Sequence, residues 1–261
     1  MYIKRGVFTH HVLFQRLLAL HKVATMNGIN LQRIARGLTE NIEAPVRKHL
    51  KNVYATFTLA TIAAAAGGYA HMFCSLIDAR LITGFGAICT LLWLHMTPYD
   101  GKNQIKRLSL FGSFAFLTGY NLGPFLDMAV RVNPALIIQT LLGTSIVYAC
   151  FSLSALFAPR GHYLYLGGIL LSALSILFWL SLINLFFGSR LLFQVNLYFG
   201  LAIMCSFIVF DTQNIIEKAR RGDTDYVMHS IELFIDFVYV FKHLLIILTK
   251  KEAQSKKKRR D

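Results

Sequence analysis

Long uncharged apolar runs, separated by short polar gaps, occupy the chain from residue 53 to residue 210. Every Lys, Arg, Asp and Glu in this stretch lies in one of the gaps. A helix needs about 17–25 apolar residues to cross a hydrocarbon core about 30 Å thick, and helices of water-soluble proteins keep a polar face. The pattern therefore predicts an all-α polytopic membrane protein, with spans at 53–73, 81–98, 108–126, 132–158, 161–189 and 191–210.

A seventh apolar run, 226–249, differs from the others because it contains Glu232, Asp236 and Lys242. It is either a full span or a re-entrant segment that lines a cavity. The gaps between the runs are too short for an independent soluble domain. We therefore predict three regions: a basic, cytosolic N-terminal tail over 1–52, a seven-helix membrane domain over 53–249 and a polybasic C-terminal tail over 250–261.

The charge of the chain is concentrated in the two tails. Charged residues make up 15% of the sequence, against about 25% in soluble domains, and the net charge is +14. Residues 1–52 contribute +7 (nine basic, two acidic) and residues 250–261 contribute +5 (seven basic, two acidic). A solvated C-terminal tail is one alternative. With a membrane this close, we expect it to bind anionic lipid headgroups rather than nucleic acid, through Lys256, Lys257, Lys258, Arg259 and Arg260.

Basic residues in the gaps predict the orientation in the membrane. Seven Lys and Arg lie in the three gaps that share a side with the N-terminal tail, and three lie in the opposite gaps. The positive-inside rule therefore places the N-terminus in the cytosol. Seven full spans would put the basic C-terminal tail on the other side, and a re-entrant seventh segment would return it to the cytosol. The acid-free first 36 residues resemble a mitochondrial transit peptide, with a cytosolic tail or a later start at Met26 as alternatives.

The candidate chemistry lies in the last predicted hairpin. Asp211 ends the sixth run, Asp236 lies inside the seventh, and the turn-forming pair Gly222-Asp223 lies between them. At a rise of 1.5 Å per residue the two acids stand about 16 and 21 Å from the turn, so they can face each other. Glu232 precedes Asp236 by one turn on the same helix face.

Two carboxylates in a low-dielectric site cannot both ionise cheaply, so they share a proton and titrate as a pair. Such a pair can act as a proton-sensitive latch, and its oxygens suit Ca²⁺ better than a transition metal. We predict Asp211, Asp236 and Glu232 as a pH-sensing ion pathway, with Asp211 and Asp236 as candidate Ca²⁺ ligands. The alternative is that Asp211 meets water at the interface, while Asp236 pairs with Lys242 or His243 on its own helix.

Several sequence blocks occur in a characteristic order: HLKNVYA at 49–55, FAFLTG at 114–119, LGP at 122–124, LGGIL at 166–170, FDTQ at 210–213, IIEKA at 215–219 and GDTDY at 222–226. In these blocks the chain resembles the Bax inhibitor-1 branch of the transmembrane Bax-inhibitor-motif family. The resemblance covers about residues 49–251, which is nearly the whole membrane region.

The resemblance implies six helices around a central seventh, a Ca²⁺ leak out of the endoplasmic reticulum, and suppression of stress-induced apoptosis within the unfolded protein response. It also implies that Asp211 and Asp236 form a di-aspartyl pH sensor. The basic tail would contribute to the pH response and to partner contacts, with Bcl-2-type regulators among the partners. Some microbial members latch one aspartate with an arginine inside the second span, where this chain has only Arg80 at the edge. The expected location is the endoplasmic reticulum membrane, with a mitochondrial membrane as the alternative.

Other functions are compatible with the same residues. The chain could be an interaction scaffold for cell-death proteins or lipid-modifying enzymes that conducts no ions, or it could exchange Ca²⁺ for protons; an oligomer is compatible with each. An intramembrane aspartyl protease needs a Gly-x-Gly-Asp signature, and the sequence GFGA at 84–87 lacks the acid. No span carries the His pair of a zinc hydrolase. We therefore expect no enzyme activity and no cofactor, with Ca²⁺ as the transported ion.

Overall fold

The computed structural model describes residues 42–73 and 80–259, apart from the side chains of residues 80 and 81. The chain divides into two compact units, residues 1–44 and 45–261. Most of the predicted N-terminal tail, including Met26, lies outside the described residues. Within these residues there are eight α-helices and no strand: α1 (Ala44–Phe73), α2 (Arg80–Met96), α3 (Gln104–Asn121), α4 (Gly123–Val132), α5 (Ala135–Phe157), α6 (Leu166–Phe187), α7 (Arg190–Arg220) and α8 (Tyr226–Lys258).

Four of the helices, α1, α5, α6 and α7, are long and apolar enough to cross a membrane. A further apolar stretch, Ile82–Met96 in α2, is shorter. Large apolar side chains point outward, since Leu185, Phe186 and Phe187 of α6 are 77%, 80% and 78% exposed. A surface of this kind would favour aggregation in water and suits contact with lipid. The prediction of an all-α polytopic membrane protein is confirmed, and the count of seven spans stays a prediction.

The third predicted run, 108–126, is divided between α3 and α4. The N–H of Leu122 donates to the carbonyl of Gly119 at 3.1 Å, which closes α3. Pro124 lies in the first turn of α4, where its missing N–H costs nothing. The same missing N–H removes the usual i+4 donor of the Tyr120 carbonyl, which accepts a cap N–H instead, so the helix breaks here. The apolar pattern predicted one run because it does not sense this backbone break.

The helices α1 and α3 approach each other closely at two glycines. A Cβ atom at Gly67 would lie 2.0 Å from the carbonyl oxygen of Phe116, and one at Gly119 would lie 1.9 Å from the carbonyl oxygen of Ala64. No side chain fits at such distances. Small residues therefore allow the two backbones to pack in direct contact, as is common between membrane helices.

The last helix lies at the centre of the bundle. It packs against α3, α4, α5 and α7, and it also contacts α1, where Ser230 Oγ donates to the carbonyl of Val53 at 2.9 Å. Leu233, Phe234 and Val240 are completely buried. The helix is continuous over 33 residues and so about 50 Å long. Because this length exceeds the hydrocarbon core of about 30 Å, it favours a full span over a re-entrant segment.

Candidate functional site

The turn between α7 and α8 positions the candidate acids. After Arg220, Gly222 has a left-handed φ of 93°, which a residue without a Cβ adopts readily. Asp225 is the N-cap of α8, and its side chain accepts a hydrogen bond from the N–H of Met228 at 3.2 Å. The turn thus lies at the Gly222-Asp223 pair, as predicted.

Asp211 of α7 and Asp236 of α8 meet between these two helices. Their carboxyl groups are close enough to interact through a hydrogen bond and through their charges, and Asp236 is only 4% exposed. A hydrogen bond between them needs a proton on one of the two groups, because two carboxylates can only accept hydrogen bonds. The second oxygen of Asp236 is buried and has no hydrogen-bond partner among the described residues. The structure therefore brings the two predicted acids together in a buried site, where a shared proton would join them.

Glu232 lies one turn before Asp236 and is engaged with α7. Its Oε1 accepts a hydrogen bond from Lys218 Nζ at 2.8 Å. Its Oε2 is buried and has no partner in the described part of the chain. Glu232 is close enough to Asp211 for its charge to act on that group. Glu232 therefore lies beside the acid pair, and its ion pair with Lys218 holds it in place.

Hydroxyl groups that the sequence analysis did not identify surround the acid pair. Tyr54 donates a hydrogen bond to Ser152 Oγ at 3.1 Å, and Ser152 Oγ lies 3.4 Å from Thr212 Oγ1. The hydroxyl of Tyr148 is buried and has no partner in hydrogen-bond geometry among the described residues, although Ser152 and Asp236 both lie near it. The one available signal was the spacing of Tyr148 and Ser152, which places them on one face of α5.

The alternative arrangement, in which Asp236 pairs along its own helix, is wrong. The ammonium of Lys242 lies 5.0 Å from the centre of the Phe125 ring and 5.9 Å from that of Tyr239. His243 Nδ1 lies 2.8 Å from the carbonyl oxygen of Tyr239. Both basic residues thus have contacts of their own, and His243 lies about two turns along α8 from Asp236, beside Gly200 of α7.

Within the ranges that the structure describes, no group of three or more His, Cys, Asp or Glu side chains is arranged to hold a metal ion. The Asp211–Asp236 pair supplies carboxylate oxygens from two helices, whereas Ca²⁺ takes about 6–8 oxygen ligands. These two carboxylates alone therefore do not complete a Ca²⁺ coordination shell. The prediction of these two acids as Ca²⁺ ligands stays a prediction.

A second polar cluster fixes the end of the bundle at the α7–α8 turn. His49 Nε2 and His229 Nδ1 are 2.9 Å apart and form a buried hydrogen bond. His229 Nε2 lies 3.5 Å from Asp223 Oδ2. The guanidinium of Arg107 on α3 forms an ion pair with Asp225. These contacts join α1, α3 and the turn, so the segment that carries the acids is anchored on two sides.

The predicted basic tail continues the last helix as far as Lys258. Lys256 Nζ donates a hydrogen bond to the carbonyl of Val132 at the end of α4. Lys257, Lys258 and Arg259 are exposed, as a surface for lipid headgroups or a partner requires. Arg260 lies outside the described residues.

The chain is similar to known proteins over most of its length. The family model described as "Inhibitor of apoptosis-promoting Bax1" matches residues 46–253. Human Bax inhibitor 1 is 49% identical over 220 residues, which cover 84% of this chain and 93% of the human protein. Bax inhibitor 1 of Arabidopsis thaliana is 45% identical over 214 residues, covering 81% and 85% of the two chains. Bax inhibitor 1 of Drosophila melanogaster is 41% identical over 238 residues, covering 90% and 97%.

The family match and the helical architecture lead to the same assignment. The matched residues include every helix except the first two residues of α1 and the last five of α8. They also include both acids of the candidate site. The chain therefore belongs to the Bax inhibitor-1 family of polytopic helical membrane proteins.

Proposed function

We propose that this protein is a pH-sensitive Ca²⁺ leak channel of the endoplasmic reticulum membrane that lowers stored Ca²⁺ and suppresses stress-induced apoptosis. The observation that carries the proposal is the close approach of the Asp211 and Asp236 carboxyl groups where α7 contacts the central helix. The names of the similar proteins support the link to cell death. The proposed activity needs no catalysis and no resident cofactor, and Ca²⁺ is the cargo.

The acid pair acts as a latch because its proton content decides whether the two helices attract or repel each other. With one shared proton the carboxyl groups form a hydrogen bond across the interface. With none, two negative charges face each other in a low dielectric and repel strongly. A change in proton content therefore biases α8 between a closed and an open arrangement. In the open arrangement Asp211, Asp236 and Glu232 provide oxygen ligands along the ion pathway.

The test is Ca²⁺ flux into liposomes that contain the purified protein, measured across a pH series. The double variant Asp211→Asn/Asp236→Asn keeps the shape of both side chains but cannot share an ionisable proton. We expect wild type to show a pH-dependent flux and the double variant to show a flux without pH dependence. Asp100→Asn is the matched control, because Asp100 is an exposed acid in the α2–α3 loop. A pH response retained in the double variant would reject the latch.

The same liposome preparation distinguishes the proposed channel from two related functions, a scaffold and an exchanger. The exposed Lys257, Lys258 and Arg259 favour a scaffold that contacts Bcl-2-type regulators or other proteins. A scaffold alone leaves the liposomes sealed to Ca²⁺ at every pH. A Ca²⁺/H⁺ exchanger moves protons against Ca²⁺, so a pH-sensitive dye inside the liposomes reports an opposing proton flux with a fixed ratio to Ca²⁺.

A further inference from the structure

A large cavity lies between α6, α7 and α8, and neither Asp211 nor Asp236 lines it. Its volume is about 770 Å³, within the range of about 300–1,000 Å³ that is typical of small-molecule sites. The wall is largely aliphatic and aromatic and includes Leu171, Leu174 and Phe178 of α6. A hydrocarbon chain would therefore be well accommodated along α6.

Polar groups occupy the part of the wall nearer the α6–α7 loop. Asn196 and Ser181 line the cavity there and are joined by a hydrogen bond between their side chains. Each lies six residues, or about 9 Å, from the loop end of its helix, whereas Leu171 lies about 24 Å from it. The cavity thus has a polar part near the α6–α7 loop and an apolar wall along α6.

Lys242 is the only Lys, Arg, Asp or Glu among the described residues that line this cavity. Two aromatic rings, those of Phe125 and Tyr239, contact its ammonium group, and none of the described carboxylates forms an ion pair with it. Contact with an aromatic face stabilises a cation by about 0.5–2 kcal/mol. Inserting a lysine at the centre of a membrane helix costs about 3 kcal/mol on insertion scales, which is more than that gain. An anion from outside the chain would complete this site.

The neighbouring His243 adds a fixed polar group to the same wall. Its Nδ1 carries a proton, because it lies 2.8 Å from the carbonyl oxygen of Tyr239 and a carbonyl can only accept. Its Nε2 packs against Gly200, where a Cβ atom would be 2.9 Å away. The ring is held in place by these contacts, so the wall beside Lys242 is pre-formed.

A second, basic cavity lies beside the first. Arg190 and Lys250 line that second cavity, and Phe193 lines both. Lys250 lies over the Phe193 ring at 3.9 Å and is eight residues, or about 12 Å, further along α8 than Lys242. The basic side chains of Arg190 and Lys250 therefore lie at the end near the α6–α7 loop, and that of Lys242 lies deeper.

We propose that this cavity binds a long-chain fatty acid, with its carboxylate on Lys242 and its hydrocarbon chain along Leu171, Leu174 and Phe178. One half-buried ammonium matches one carboxylate, and the apolar wall, which is open along Leu171 and Phe178 (62% and 63% exposed), can take a hydrocarbon chain. A phospholipid is a poorer match, because its charged group stays at the headgroup level that Arg190 and Lys250 mark. The small carboxylate of a fatty acid can pass Arg190 and Lys250 and reach Lys242.

The test is equilibrium binding of radiolabelled palmitate to the full-length protein in nanodiscs of neutral lipid. We expect one palmitate per protein. Lys242→Met should weaken binding at least tenfold, Lys242→Arg should retain it, and hexadecanol, which has the chain without the charge, should compete poorly. Lys251→Met is the matched control and should bind as wild type does, because Lys251 is exposed on the same helix.

Three results would overturn the assignment. Equal palmitate binding by wild type and Lys242→Met would remove the lysine from the site. Equal competition by hexadecanol would show that no anion is recognised. Displacement of palmitate by an anionic phospholipid that depends on Lys242 would make a bilayer lipid the occupant. If Lys242→Met fails to fold, photoactivatable palmitate on wild type decides the matter, since it should label the segment around Leu171 and Leu174, and labelling elsewhere contradicts the proposal.

Discussion

Two tyrosines beside the acid pair differ in whether their hydroxyl groups have a partner. Tyr54 donates to Ser152 at 3.1 Å, while the buried hydroxyl of Tyr148 has no partner among the described residues. Buried polar atoms without a partner are uncommon in folded proteins and frequently mark a functional position or a bound water. The Tyr148 hydroxyl and the second oxygen of Asp236 are therefore candidate ligands for a bound water.

This difference predicts opposite effects of the same chemical change. Tyr54→Phe removes a hydrogen bond and should lower the free energy of unfolding by about 1 kcal/mol. Tyr148→Phe removes a buried polar atom that has no partner, so stability should stay the same or rise. Thermal unfolding of both variants in one detergent measures the difference. An equal loss of stability in the two variants would show that Tyr148 has a partner in the folded protein.

The His49–His229 hydrogen bond at the α7–α8 turn should couple the two residues energetically. His49→Ala leaves the buried His229 Nδ1 without a partner, which costs about 1–3 kcal/mol. His229→Ala does the same to His49. The double variant should lose less stability than the sum of the single variants, by roughly 0.5–3 kcal/mol. A double-mutant cycle measures this coupling, and additive losses would contradict a direct hydrogen bond.

Single residues differ in how well the sequence identified them. Asp211 and Asp236 were predictable because an acid next to or inside an apolar run carries a large desolvation cost. Tyr148, Ser152 and Thr212 were missed because hydroxyl residues are ordinary in membrane helices. Their importance comes only from their position beside the acids.

At the scale of helices, the contact between α1 and α3 depends on glycine at position 119. Gly119→Ala would place a Cβ atom 1.9 Å from a backbone oxygen of α1, so the helices must separate. We expect a loss of at least about 1–3 kcal/mol, the usual cost of overpacking. Gly112→Ala on the same helix is the matched control, since nothing lies within 4 Å of its Cβ position. It should be neutral or stabilising by about 0.5–1 kcal/mol. Similar unfolding temperatures for the two variants would disprove the close contact.

The ends of the helices were less predictable than their existence. The apolar run that ends at Phe210 predicted the end of the sixth span, but α7 continues for ten more residues to Arg220. The extension is stabilised by ion pairs, such as Glu217 with Arg160 at 2.9 Å. An apolar pattern reports where lipid ends, whereas a helix continues as long as its backbone and side chains find partners.

At the scale of the whole molecule, the length of α8 determines where the C-terminus lies. The helix is continuous from the turn to Lys258, so its two ends are about 50 Å apart. If α8 crosses the membrane, Thr224 and Ser255 lie on opposite sides. A membrane-impermeant thiol reagent applied to sealed vesicles tests this with Thr224→Cys and Ser255→Cys in a background without native cysteines. Labelling of both from the same side would contradict a full span.

The sequence by itself determined the class of fold, the family, the turn at Gly222-Asp223 and the two acids that face each other. These features follow from local chemistry, since charges are excluded from apolar runs and a helical rise places residues at known heights. Only the tertiary structure decided the central position of α8, the hydroxyl groups around Asp236, the ion pair of Glu232 and the isolation of Lys242 in a cavity. Each of these depends on which helices pack side by side, and contacts between residues distant in sequence leave no periodic signal along the chain.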